Sequence, residues 1–170
     1  MGSAGKNEIK AGRAVILGRM GHFDLPSPIP SAGIKVVLDT PVALAGLAYP
    51  ASYPGYLIEA WRKGALNWIT GLAQLSEIEW VVGRICGRRL AGPSPEMLSG
   101  LLRLFTTAVE PGPVFDPQTR TPWDAMLVSL HLEGAARRIV TSSTSLLALA
   151  DRYPVVTPRT LWHELHDDQC

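Results

Sequence analysis

Two carboxylates stand where elementary fold rules would put them to chemical use. Asp39 ends the apolar run Ile34-Lys35-Val36-Val37-Leu38, and Asp124 follows Thr121-Pro122-Trp123 at the start of a helical pattern. In an open α/β sheet, strand carboxyl ends and helix amino ends meet along one edge, so acids far apart in sequence become neighbours there. Neighbouring carboxylates repel one another and lose hydration, and a hard divalent cation relieves both costs. Magnesium takes oxygen ligands and keeps several waters, so a few acids at a sheet edge are a sufficient protein share of its shell. Each acid also has a purely structural reading. Asp39 would serve as a turn residue after a strand. Asp124 sits three residues after a hydroxyl with Pro at the first helical position, which is capping chemistry. The two roles are compatible for Asp124, since a helix amino terminus favours the charged form of a nearby carboxylate.

A third acid has two candidates, Glu77 and Glu79, on the run Leu72 to Arg89. Helical spacing puts Glu79 beside the apolar stripe of Leu75, Val82 and Cys86, and Glu77 on a more polar face with Arg84 and Arg88, so periodicity favours Glu79 as the inward acid. Arg84, Arg88 and Arg89 would track phosphates along a groove or simply be solvated. His131 lies two turns beyond Asp124, about 10 Å along a helix axis, too far to share an ion with it. The chain has no phosphate-binding glycine loop, nucleophile elbow or zinc-type spacing. The five tryptophans are expected in the core.

These side chains need a scaffold, and the sequence supplies one. Strand Ile34 to Asp39 leads to a helix from about Pro41, Pro54 begins a second helical run, Tyr56 to Lys63, closed by Gly64, and Leu66 to Ile69 makes a second strand. A helix over Leu72 to Arg89 is followed by an amphipathic one over Pro95 to Phe105, then by a proline-rich loop. Next come a helix from Pro122 to about Glu133, a strand Arg138 to Thr141, a short helix Leu146 to Leu149, a strand Pro154 to Val156 and a terminal helix carrying Leu161, Trp162 and Leu165. Apolar strands alternating with helices predict an α/β three-layer sandwich around a mainly parallel sheet. Residues 1–33, with one short strand-like run and then Pro26, Pro28 and Pro30, read as an appendage and linker, and residues 34–170 as one domain.

Composition agrees with a globular chain. Of 170 residues, 46% are hydrophobic and 18% charged, and the formal net charge is +1, which excludes a strong global field toward polyanions or a membrane surface. Two cysteines without a metal or disulfide framework, and no apolar run of membrane-spanning length, give the expectation of a cytoplasmic protein with no membrane partner.

The chain resembles the PIN-domain family, and within it the prokaryotic branch of toxin components of toxin-antitoxin pairs. Val36-Val37-Leu38-Asp39-Thr40 is similar to the family's opening strand and Asp-Thr. Asp124-Ala125-Met126-Leu127-Val128, with Gly134-Ala135, Arg138-Ile139-Val140-Thr141 and Leu146 to Leu149, is similar to its late acid, strand and helix. Val155-Val156-Thr157-Pro158 with Leu161 is similar to its closing strand and helix. The resemblance implies a five-stranded parallel sheet and a ribonuclease whose acids bind magnesium or manganese, here Asp39, Glu77 and Asp124. It takes Glu77 rather than Glu79 as the second acid, from the apolar residues Leu75, Ile78, Val81 and Val82, so the two criteria disagree. It also implies RNA as substrate, a small antitoxin protein as partner and self-association as a homodimer.

The chain departs from that pattern in three places. Pro41 follows Asp39-Thr40 where the family has Asn. Thr141-Ser142-Ser143 stands where it has Thr-Gly-Asp, and Ser145 also carries no acid, so the fourth acid is absent and Ser143 would only orient a water or phosphate. Asp116-Pro117 resembles the start of the family's acidic loop, but extra residues separate it from Asp124, so Asp116 would either substitute for the missing acid or serve as a turn residue before Pro117. The expectation is therefore a weakened metal-dependent ribonuclease; the alternatives are a catalytically inactive PIN fold that binds RNA or protein and, more remotely, a flavodoxin-like small-ligand domain.

Overall fold

A computed structural model describes residues 33–89, 99–100, 102–104, 106–114 and 116–167, without the side chains of residues 85–89. The expected appendage up to residue 32, most of the expected helix from Pro95, the side chains of Cys86, Arg88 and Arg89, and Cys170 lie outside those residues.

Five strands form one sheet: β1 (Ile34–Leu38), β2 (Leu66–Thr70), β3 (Thr107–Ala108), β4 (Arg138–Val140) and β5 (Val155–Val156), in the spatial order β3-β2-β1-β4-β5. Every pairing is parallel, with Val36 opposite Trp68 and Arg138, and Ile139 opposite Val155. The connecting helices are α1 (Thr40–Ala48), α2 (Tyr53–Arg62), α3 (Leu72–Arg89), α4 (Pro122–Gly134), α5 (Thr144–Leu147) and α6 (Pro158–Asp167), and residues 99–100 and 102–104 are also helical. No helix among the described residues is long and apolar enough to cross a membrane.

The side-chain alternation of a strand divides β1 between two cores. Val36 and Leu38 pack with Leu57 and Trp61 of α2, Leu75 and Ile78 of α3 and Leu161 of α6, whereas Val37 packs with Leu127 and Leu130 of α4 and Leu146 of α5. This is the three-layer sandwich, and it explains why β1 and β2 are apolar on both faces.

Local chemistry sets the helix ends. Ser52 accepts from the Gly55 amide at 3.2 Å to start α2, and Thr121 accepts from the Asp124 amide at 3.0 Å to start α4. At the other end of α4, a Cβ on Gly134 would lie 2.3 Å from Cγ2 of Ile69, so glycine is spent on that close approach. Ala135 therefore takes the left-handed turn, at φ 48°, a conformation that costs a non-glycine residue roughly 1 to 2 kcal/mol.

Four details correct the sequence reading. β3 falls where only a proline-rich loop was expected; with two residues it has no periodicity to read and exists through its pairing with Ile69 and Thr70. α2 begins at Tyr53, one residue before the Pro54 expected to open it, because Ser52 is its cap. α5 covers Thr144–Leu147 instead of Leu146 to Leu149. Trp80 is 61% exposed, with the Arg84 guanidinium 4.7 Å from its ring centre, so one tryptophan is on the surface.

Candidate functional site

The carboxyl ends of β1 and β4 lie side by side, tied by a 2.9 Å hydrogen bond from the Asp39 amide to the Val140 carbonyl. Asp39 is the residue between β1 and α1. Its side chain does not cap α1; it turns into the edge, where it is buried at 4% exposure. Thr141, fully buried just after β4, donates its hydroxyl to Asp39 Oδ2 at 2.7 Å. Trp123 donates its indole N–H to Asp39 Oδ1 at 3.2 Å. Two donors from different elements, one on each oxygen, restrain the carboxylate in a fixed plane.

Asp124 reaches the same edge from the first turn of α4 and is also buried, at 5% exposure. Because Thr121 already satisfies its amide, its carboxylate is left to other partners. Ser145 Oγ lies 3.4 Å from Asp124 Oδ2, a long contact, and 2.8 Å from Ser143 Oγ. The Ser143 amide in turn donates to Thr141 Oγ1 at 2.9 Å. Asp39 and Asp124 are thus the two ends of a chain that runs through Thr141, Ser143 and Ser145. Hydroxyls stand where the resemblance expects a further acid, and they replace a repelling charge with hydrogen-bond donors. Beside Asp39, the Thr40 hydroxyl is buried without a partner among the described residues.

The structure does not bring the α3 acids to this edge. Glu79, the inward acid by periodicity, accepts from Ser99 at 2.6 Å and pairs with Arg103 at 2.8 Å, which draws it toward those two residues. Glu77, the second acid by resemblance, is exposed. No group of three His, Cys, Asp or Glu able to hold a metal forms among the described residues. The α3 side chain that does reach the end of β1 is Gln74: it is fully buried, donates to the Leu38 carbonyl and accepts from the Thr70 hydroxyl at 2.8 Å. A neutral amide carries no acid signal and a tryptophan reads first as core, so residue type alone marks neither Gln74 nor Trp123 as part of the site.

Asp116 is a structural acid. Its carboxylate accepts the Gln118 amide and Arg152 at 2.9 Å each and the Tyr153 hydroxyl at 2.7 Å. The Gln118 amide first, then Tyr153 and the Arg152 charge, hold its carboxyl below the usual 3.8, and the same contact pushes the Tyr153 hydroxyl up. Burial lowers the His131 imidazole, which belongs to α4 rather than to the acid pair.

Two buried carboxylates and several hydroxyl donors suit a hard cation or a phosphate ester. Residues 35–145 match the family model described as PIN domain. No curated protein and no solved structure matches the chain. The matched segment spans β1 through the Ser143 and Ser145 loop, and with its parallel five-stranded sheet the chain belongs to the PIN-domain family.

Proposed function

We propose that this PIN domain is a ribonuclease that hydrolyses RNA phosphodiesters with a magnesium or manganese ion held by Asp39 and Asp124, and that it acts as the toxin component of a toxin-antitoxin pair. PIN domains are generally nuclease-like and typically depend on a divalent metal. The observation that carries the reading is the burial of both carboxylates on one sheet edge, joined through Thr141, Ser143 and Ser145.

The residues fit such an ion. Magnesium is usually held by one or two carboxylates together with substrate phosphates, and this edge offers two. The buried hydroxyl of Thr40, the residue after Asp39, has no partner among the described residues and would be a further oxygen donor. When bound, the ion supplies an activated water and neutralises charge on the transferring phosphate. Asp39, restrained by two donors from different elements, keeps its orientation without a cost of reorganisation. Ser143 and Ser145 present neutral hydroxyls to a phosphate oxygen where a fourth acid would repel it. The loss of that acid weakens the hold on the ion, so slow or narrowly selective cleavage is expected. Glu77, exposed on α3, has no part in the proposed ion site.

Titration of manganese into the protein by calorimetry, with Asp39→Asn as control, tests the reading, followed by cleavage of an RNA pool. Site-specific binding and cleavage that both vanish in Asp39→Asn support it; cleavage unchanged in that variant refutes it. The second reading, a PIN fold that binds RNA or protein without catalysis, is favoured by the absence of a three-acid group among the described residues. It requires RNA or protein binding that is indifferent to chelation. The toxin role brings a small antitoxin partner and self-association, which co-expression with the neighbouring reading frame and sedimentation would test.

A further inference from the structure

We infer that Trp123 is a positioning residue that sets the Asp39 carboxylate in place for the ion, an inference that rests on the metal-dependent reading above. Trp123 sits in the first turn of α4, one residue before Asp124. Its ring packs half-buried against the core formed by Val37, Leu127 and Leu146, so its edge is not free to swing. From that anchorage the indole N–H reaches Asp39 Oδ1 at 3.2 Å, while Thr141 holds Oδ2 at 2.7 Å.

Three consequences follow from this geometry. An indole is a donor only, so the contact cannot reverse, and it restrains the carboxylate plane. A carboxylate oxygen has two acceptor directions, so the bond leaves one on Oδ1 and one on Oδ2 for a cation. Finally, one helical turn carries both Asp124 and the group that orients Asp39. The separation of the two carboxylates is thereby referred to α4 rather than left to the loop after β1. Partners of this kind, one bond removed from a ligand, orient it, and their removal typically costs about 10 to 100-fold in metal affinity or activity.

The test uses the full-length protein labelled with 15N-tryptophan, which has five indole N–H groups. The Trp123 signal is identified by its loss in Trp123→Phe, a variant whose remaining four signals report whether the fold is intact. In the absence of metal, Asp39→Ala is expected to shift the Trp123 signal more than any of the other four. Manganese affinity, read from the free-ion electron paramagnetic resonance signal, is expected to fall about 10 to 100-fold in Trp123→Phe. A Trp123 signal indifferent to Asp39→Ala, or wild-type affinity in a folded Trp123→Phe, overturns the inference. If the wild-type protein binds no manganese yet Asp39→Ala moves the Trp123 signal, the metal reading fails and the positioning of Asp39 by Trp123 is upheld.

Discussion

Thr141→Val removes one oxygen from the middle of the site and little else. The hydroxyl is fully buried, donates to a buried carboxylate at 2.7 Å and accepts the Ser143 amide at 2.9 Å. A hydrogen bond to a charged group contributes about 1.5 to 3 kcal/mol. The Ser143 amide lies on a half-exposed residue, where water replaces part of what is lost, so it adds no more than about 1 kcal/mol. The expected loss of stability is therefore about 3 kcal/mol. With a urea m-value of about 2 kcal/mol/M, the unfolding midpoint should fall by about 1.5 M. Chelator in every sample keeps metal binding to the native state out of the comparison. The cost should depend on the carboxylate: in an Asp39→Ala background it should shrink by at least about 1 kcal/mol, the coupling expected of two groups in direct contact. A loss under about 0.5 kcal/mol, or an equal loss in both backgrounds, would refute the claim that Thr141 holds Asp39.

Asp116→Asn should flatten the acid limb of the stability curve. The carboxyl of Asp116 is lowered in the folded state, so its contribution is present above the ordinary value of 3.8 and is lost as pH falls through the lower folded value; unfolding midpoints measured from neutral pH down to about pH 2 check this, and an unchanged acid limb would count against it. In Gly55→Ala the new Cβ would lie 2.4 Å from the carbonyl oxygens of both Tyr49 and Pro50, which are backbone atoms unable to step aside. About 3 kcal/mol of destabilisation is expected, seen as a Tm lower by about 6 to 12 °C. Gly83→Ala on α3, with nothing within 4 Å of the added carbon, is the control and should be neutral or stabilising by up to about 1 kcal/mol.

What the sequence determined by itself was whatever is written in neighbouring residues. β1, β2, α3 and the start of α4 are legible because apolar runs, the Thr121-Pro122 cap and helical spacing are local signals, and α3 spans the Leu72 to Arg89 expected of it. Asp39 and Asp124 were legible for the same reason: one ends a strand and the other opens a helix. Tertiary structure alone decided the partners. Glu79 is turned aside by Arg103, Asp116 is claimed by Arg152 and Tyr153, and Trp123 and Thr141 meet at Asp39 from elements remote in the chain. The identity of a polar residue states what it can bond to, but its phase on a helix is read too coarsely to say which way it points. Which donor arrives depends on the register of parallel strands and the packing of helices on both faces, and those are properties of the folded sheet.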